Sequence, residues 1–254
     1  MKIIQSILTK NDCYKAGKKI TVKGLMLHSV GCSQPSASVF VESWNRGNFE
    51  ACVHGFIDAN TGDVYQTLPW NHRGWHGGGS SNNTHIGVEM CEPDCIEYKN
   101  GVIAGCSNRV KAKAMVQRTY DTAVQLFAQK CVKYKLDPLE KGVIVSHSEG
   151  HKMGIASGHV DPEHLWKYLG MGYTMDTFRK AVKKQMGDDD MTKEEVIKII
   201  QEYEADKAKK ATSDWAKSSW AKAKSKGILD GTSPKSHATR EQIAAILDRL
   251  GLLK

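Results

Sequence analysis

The sequence lacks a long apolar run. No stretch approaches the ~18 consecutive apolar residues that a membrane-spanning helix requires, although 40% of its 254 residues are hydrophobic. Residues 1–10 are too short and too interrupted to form the apolar core of a secretory signal peptide. We therefore expect a protein that has no membrane span and is synthesised in the cytoplasm.

The seven cysteines lack the regular spacing of a disulfide framework, and their number is odd. Cys91, Cys95 and Cys106 lie close together in the sequence, which leaves a second metal site or a disulfide as alternatives. Because disulfides are rare in the cytosol, free and partly buried thiols are the favoured interpretation.

Nucleic-acid-binding motifs and interleaved basic and aromatic residues are also missing, which argues against nucleic acid as a partner. The formal net charge is nevertheless +8. Residues 1–186 hold most of this excess, with 23 Lys and Arg against 16 Asp and Glu. A basic surface of this kind favours a polyanionic partner.

Two histidines follow short apolar runs that begin with glycine. His28 ends the run from Gly24, and His147 ends the run from Gly142. Such runs are typical of strands covered on both faces. Asp161 follows on a loop. Two imidazoles and one carboxylate leave one position open on a tetrahedral zinc ion, as hydrolytic sites require. The alternative is that each histidine only satisfies hydrogen bonds in the core.

The remaining pattern alternates between strands and helices and predicts an α/β fold, with a mixed central sheet flanked by helices. Residues 52–57 and 64–68 flank a turn at Asn60–Gly62, which predicts a hairpin. Residues 85–90 predict another strand. A long helix follows, with an apolar face that we assign to core packing; its members are Val116, Tyr120, Ala123, Phe127, Cys131 and Tyr134.

A small all-α region is expected at the C-terminal end. Residues 175–186 predict the last helix of the first domain, packing through Phe178 and Val182, and residues 187–190 mark its boundary. Thr192 and Glu195 form a capping box before the apolar positions Val196, Ile199, Ile200 and Tyr203. Further helices are predicted to start at Ser213, with a stop at Gly227, and at the Thr239–Gln242 capping box. The expected domains are 1–186, a linker and spacer helix at 187–212, and a helical module at 213–254.

Four stretches within residues 1–186 resemble the zinc-dependent N-acetylmuramoyl-L-alanine amidases, which include phage and bacterial cell-wall lysins and are related to peptidoglycan recognition proteins. The stretches are LMLHSVG, HGFIDANTGDVYQTLPWNHRGWHGG, THIGVEM and VSHSEGHKMGIASGHVDPEHLW. The resemblance implies that His28, His147 and Asp161 are the ligands of Zn²⁺. It also implies cleavage of the amide between N-acetylmuramic acid and L-alanine in peptidoglycan. The basic excess of residues 1–186 fits the anionic wall of Gram-positive type.

The resemblance also assigns catalytic residues. Glu89 falls where relatives place an essential glutamate that relays a proton, the alternative being a solvent-facing strand residue. His159 replaces the lysine of many relatives and would stabilise the oxyanion, with His151 as its rival.

Substrate-contacting residues are a separate set of expectations. His54 and His76 are expected to contact substrate or to hydrogen-bond a ligand from outside. Trp75 and Trp70 are expected to stack on sugars or to pack in the core. No role is assigned to His72, His85, His164 and His237.

The tail resembles one shortened surface-layer-homology repeat, in WAKAKSKGILDG and ATREQIAAIL. This implies binding to wall polysaccharide, and so small a module is expected to need support, including self-association through its helices. The expected function is that of a phage or prophage endolysin that acts on the wall after release. The alternatives are a host autolysin, a non-catalytic peptidoglycan-binding module and a zinc-free structural protein.

Overall fold

The computed structural model describes residues 1–187 and 193–253, and the chain divides into two compact units, Met1–Asp189 and Asp190–Lys254. Of the expected boundary at residues 187–190, positions 188–190 lie outside the described residues, as does the capping residue Thr192. The side chains of Glu195 and Val196 also lie outside them.

The first unit is built on a six-stranded sheet. Its strands are β1 (Ile3–Gln5), β2 (Gly24–Ser29), β3 (Gly55–Ile57), β4 (Val64–Gln66), β5 (His85–Met90) and β8 (Ile144–Ser146). Their order across the sheet is β1-β4-β3-β5-β2-β8. A separate antiparallel hairpin consists of β6 (Ile96–Lys99) and β7 (Val102–Cys106). Only the β3–β4 pair is antiparallel among the described pairs of the large sheet, so the sheet is mixed, as predicted.

The centre of the sheet is covered on both faces. All six residues of β2 are buried, and it pairs in parallel with β5 on one side and β8 on the other. This burial explains why Gly24–Ser29 is a nearly continuous apolar run. The carboxyl ends of β2, β5 and β8 consequently meet at one edge of the sheet.

Six helices of the described chain surround this sheet: α1 (Asp12–Ala16), α2 (Ala37–Trp44), α3 (Arg109–Tyr134), α4 (His147–Lys152), α5 (Glu163–Leu169) and α6 (Met175–Gln185). Asn108 caps α3 by accepting from Lys111 N. The predicted apolar face of α3 belongs to the main core, with Tyr134 partly buried at its end. Phe178 and Val182 of α6 are fully buried in the same cluster.

The predicted hairpin is present between β3 and β4. Asp58 Oδ1 accepts from the backbone amides of Asn60 (2.9 Å) and Thr61 (3.0 Å), which holds the turn. Gly62 has φ +78°, a conformation that side chains rarely adopt.

One expected element is wrong in detail. His147 does not end a strand, because β8 stops at Ser146 and His147 is the first residue of α4. Ser146 and Glu149 form a reciprocal capping box at this helix start.

The second unit is helical, as predicted: α7 (Lys193–Ala208), a 3-10 turn (Asp214–Ala216), α8 (Lys217–Ser225) and α9 (Arg240–Arg249). The Thr239–Gln242 capping box is present. The predicted start at Ser213 is a 3-10 turn, and α8 begins only at Lys217; the Ser213 hydroxyl accepts from Lys235 Nζ instead of capping a helix. Across the described residues, no helix is long and apolar enough to cross a membrane.

Candidate metal centre and active site

His28, His147 and Asp161 come together at the edge where the parallel strands end. His28 is the fifth residue of β2, and His147 follows the neighbouring strand β8 directly. Asp161 reaches them from the loop between α4 and α5, where its Oδ2 accepts from Ser29 N at 3.3 Å. All three side chains are buried.

The donor atoms have the spacing of a tetrahedral metal site. His28 Nδ1 lies 3.1 Å from His147 Nδ1. Asp161 Oδ2 lies 3.3 Å from His28 Nδ1, and Asp161 Oδ1 lies 3.6 Å from His147 Nδ1. Zinc–ligand bonds of about 2.0–2.1 Å in a tetrahedron separate the ligands by about 3.3–3.4 Å. The three residues therefore fit a zinc ion.

The Nε2 atoms of His28 and His147, which face away from Asp161, also form hydrogen bonds. His76 Nε2 donates to His85 O (3.1 Å), which leaves His76 Nδ1 to accept from His28 Nε2 (3.1 Å). His147 Nε2 donates to Ser157 Oγ at 3.2 Å, and that hydroxyl donates to Gly77 O. When each ring is neutral and its proton sits on Nε2, the Nδ1 atoms carry no proton and face Asp161, which is how outer hydrogen bonds set the tautomer of metal-binding histidines.

The protonation of the three residues follows from this packing. Burial, reinforced by the nearby His28, lowers the pKa of His147 to about 4. Burial opposes ionisation of Asp161, but the hydrogen bond with His28 outweighs it and lowers the pKa of the carboxyl. Burial lowers the pKa of His28, but the same bond, which His28 Nδ1 makes when it carries a proton, outweighs burial and raises it; a metal would displace this proton. A neutral His147 and an ionised Asp161 are the forms that bind a metal.

Glu89 stands beside this cluster because the β2–β5 register places it opposite His28. Burial, with the nearby Asp161 and Glu92, raises the pKa of Glu89 to about 8, while His28 lowers it. Its Oε2 is buried and has no hydrogen-bond partner among residues 1–187 and 193–253. A buried, unpaired carboxylate oxygen is costly in a purely structural residue, so a role toward a bound molecule is favoured.

His159 lies on the outer side of the centre. Its ring stacks on His147 at 4.3 Å between centroids, and its Nδ1 is 3.9 Å from Asp161 Oδ1. The side chain is 60% exposed, so it can meet a molecule that approaches from solvent. His151 is also exposed and packs beside Gly158.

The structure places the ring of His54 inside the fold, so its contact with substrate stays a prediction. His54 is fully buried, and both ring nitrogens are used: Nε2 donates to His72 O (2.8 Å) and Nδ1 accepts from Gly87 N (3.0 Å). Burial accordingly lowers its pKa to about 4. For His76, the second expectation was a hydrogen bond to a metal ligand, and its Nδ1 accepts such a bond from His28 Nε2.

The two tryptophans differ. Trp75 is 41% exposed, with the Arg73 guanidinium 4.9 Å from its ring. Trp70 is partly buried against the main core, and Lys130 Nζ lies 3.7 Å from its ring. Stacking on a sugar therefore stays a prediction for Trp75, while Trp70 packs.

Sequence reasoning missed a buried network behind Asp161. Glu92 is fully buried; it accepts from Gly31 N (3.1 Å) and from the Tyr98 hydroxyl, which also contacts His164 Nε2 (3.0 Å). Burial raises the pKa of Glu92 to about 7. The network joins the loop after His28 to helix α5, just after Asp161.

Comparison with known proteins places this fold and its cluster in context. A sequence profile described as N-acetylmuramoyl-L-alanine amidase matches residues 18–164, more than half of the chain. The chain belongs to this family.

Individual relatives are more distant. The N-acetylmuramoyl-L-alanine amidase XlyA of Bacillus subtilis (strain 168) is 26% identical over 95 residues, 36% of this chain and 32% of that protein. The match thus spans about a third of the curated relative.

Two solved structures share the fold. The Staphylococcus aureus hydrolase AmiA, solved with its ligand, has a TM-score of 0.55 at 17% identity and covers 73% of this chain and 83% of its own. The PlyG catalytic domain has a TM-score of 0.50 at 20% identity, over 73% and 96%.

Proposed function

We propose that this chain is a zinc-dependent enzyme that hydrolyses the amide between N-acetylmuramic acid and L-alanine in peptidoglycan. The observation that carries the proposal is the buried triad of His28, His147 and Asp161 beside the unpaired oxygen of Glu89. Family membership supports the same reaction. A zinc ion bound by the three residues would supply a Lewis acid that polarises the scissile carbonyl and lowers the pKa of water.

Glu89 is the general acid–base catalyst in this proposal. When Glu89 is ionised, its Oε2 accepts a proton from the attacking water, and the protonated carboxyl then delivers it to the departing amide nitrogen. The strand pairing to His28 keeps the carboxylate on a rigid element, which is the arrangement that positions an acid–base group best.

His159 donates a hydrogen bond to the oxyanion that develops on the carbonyl oxygen. The support is its position, stacked on His147 and exposed to solvent. His76 is a positioning residue through His28, and Trp75 offers its exposed ring to a sugar.

We assign catalysis to residues 1–186, a linker and spacer helix to 187–212, and wall binding to the helical module 213–254. The module contains a cavity of about 700 Å³ that combines the aromatic Trp220 with polar groups such as Asp230, Gln242 and Arg249. Aromatic rings beside polar groups suit a polysaccharide of the wall.

The biological part of the proposal is an endolysin, encoded by a phage or prophage, that reaches the Gram-positive-type wall after release from the cell. It is supported by the resemblance of residues 1–186 to phage and bacterial lysins and by the basic excess of that region, which suits an anionic wall.

The test is digestion of purified peptidoglycan with mass analysis of the products. An amidase releases free stem peptides with a new L-alanine amino terminus and leaves intact glycan chains. New reducing ends would indicate a glycosidase, and cuts within the stem peptide would indicate an endopeptidase. An unchanged wall that retains the protein would indicate a binding module. Each of these results would overturn the proposal.

A further inference from the structure

Two thiols contact each other in the first unit, apart from the metal centre. Cys13 belongs to α1, and Cys52 precedes β3. The Cys13 thiol donates to Glu50 O at 3.1 Å, two residues before Cys52, and the Cys52 thiol lies close enough to affect the pKa of Cys13. Both pack in one small cluster around the buried Leu8 and Leu68. All seven cysteines lie within the described residues and are free.

The two thiols differ in access. Cys13 is half-buried and lines a cavity of about 280 Å³, with Glu50, Arg73 and Trp75 on its walls. Cys52 is fully buried. A small molecule in the cavity therefore meets Cys13, which lines it, and not the buried Cys52.

The two thiols also differ in acidity. The neighbouring Cys52 thiol lowers the pKa of the Cys13 thiol, and Arg73 lowers it further against the effect of burial. The neighbouring Cys13 thiol, with burial, raises the pKa of Cys52. Since the thiolate is the nucleophile, Cys13 reacts first.

We propose that Cys13 and Cys52 are a redox site that closes to a disulfide by exchange with a low-molecular-weight disulfide such as oxidised glutathione. The Cys13 thiolate attacks one sulfur of the oxidant, forms a mixed disulfide and releases one small thiolate, which takes up a proton. Cys52 then attacks the Cys13 sulfur, and the second small thiolate takes up the Cys52 proton as it leaves. Two protein thiols are oxidised, and one small disulfide is reduced to two thiols.

The consequence is a link between α1 and the segment that supports the metal centre. Cys52 forms a backbone bridge with Trp75, through N–H···O bonds of 3.0 and 2.9 Å. The next residue, His76, holds the outer nitrogen of His28. A crosslink over the long loop between Cys13 and Cys52 stabilises the folded state chiefly by restricting the unfolded chain.

Cys13 and Cys52 are free thiols in a reducing cytosol and form the disulfide in an oxidising exterior. The change of compartment rests on the proposed function; the exchange chemistry and its readouts do not, because they need no substrate.

The experiment treats the reduced full-length protein with oxidised glutathione at pH 8 and then measures mass, peptide linkage and melting temperature. We expect a linked peptide pair containing Cys13 and Cys52, a mass loss of about 2 Da for that pair, and a melting temperature higher by about 5–10 °C. Dithiothreitol should reverse all three. The shift should vanish in Cys13→Ser.

A matched control is Cys95→Ser. Cys95 and Cys106 also contact each other, within the β6–β7 hairpin, so oxidation there closes only a short loop. The control should keep the Cys13–Cys52 link and its thermal shift. A stable glutathione adduct on Cys13, no linked Cys13–Cys52 peptide, or an equal shift in Cys13→Ser would overturn the proposal, whatever the enzyme does to peptidoglycan.

Discussion

The two units of the chain differ most in what they bury. The first unit fully buries large side chains, among them Trp166, Phe127 and Phe178. In the second unit, side chains are described for residues 197–253, and none of these is buried. Apolar residues of α7 such as Ile199 and Tyr203 are 54% and 62% exposed.

The difference shows that short-range sequence signals determine where helices form but not how much surface they bury. Capping boxes and helical periodicity form the helices of both units, but a segment as small as the second unit buries a smaller share of its surface and is marginally stable by itself. A catalytic site needs side chains held by packing from all sides, and within the described residues the first unit offers this packing. The second unit therefore suits a binding or tethering role that relies on a partner.

The sharpest test of the first unit is removal of a ligand. His147→Ala should lose zinc and reduce activity by about 10³-fold or more, because a Lewis acid supplies several kcal/mol of transition-state stabilisation. Elemental analysis and the rate of muropeptide cleavage measure both. His237→Ala, in the exposed second unit, is the control and should keep one zinc per chain; full zinc content in His147→Ala would remove this residue from the site.

The next largest effect is expected for the base. Glu89→Gln keeps the shape of the side chain but cannot accept the proton, so kcat should fall by about 10²–10⁴-fold with zinc retained. Glu97→Gln, on the exposed face of β6, is the matched control. Near wild-type kcat with zinc bound would contradict the assignment, and loss of zinc would make Glu89 a ligand.

His159 and His151 are separated by a paired substitution. His159→Ala should lower kcat by about 10²-fold through loss of an oxyanion donor, and His159→Lys should restore much of it. His151→Ala should change kcat little. The reverse ranking in steady-state kinetics would transfer the role to His151.

The outer bond to His28 is expected to tune metal affinity. His76→Phe leaves His28 Nε2 without its acceptor and should weaken zinc binding by about 10–100-fold in chelator competition. His76→Gln keeps an acceptor and should recover part of the affinity. His85→Gln is the control, since this buried side chain bonds Gly142 O, away from the ligands. Equal affinity in His76→Phe and the wild type would show that the bond has no such role.

The smallest effect concerns the second unit. A chain ending at residue 187 should cleave soluble muropeptides at the full rate but clear whole walls about 10-fold more slowly, because a tether raises the local substrate concentration. Light scattering of the full chain tests self-association through the exposed faces of α7 and α9. Equal clearance of walls by both chains over a range of salt would end the targeting proposal.

Much of the fold followed from local patterns. The apolar run ending at His28 predicted β2, and periodicity predicted α3 and its buried face. His147 was predicted to end a strand but begins helix α4. The apolar run before it suggested a strand, although the sequence also contains the capping box formed by Ser146 and Glu149. That box is why the chain turns from strand to helix at the ligand itself.

The sequence left the outer contacts of the site partly open: a bond from His76 to a ligand was one of two expectations, and the contacts of Glu92 were not expected. His76 reaches His28 across 48 positions, and Glu92 reaches Gly31 across 61. Such pairs depend on strand order and register, which no short segment specifies. His54 illustrates the same limit, since only the finished sheet shows that its ring is enclosed on all sides.

The most direct test of the account uses one defined substrate, N-acetylmuramoyl-L-alanyl peptide, with the full chain and the chain ending at residue 187 side by side. Zinc content and product masses are measured on the same preparations. The account predicts one zinc per chain, equal release of the intact peptide by both proteins, and loss of cleavage on chelation with recovery on adding Zn²⁺. Cleavage that survives complete zinc removal, or peptide release only by the longer chain, would contradict it.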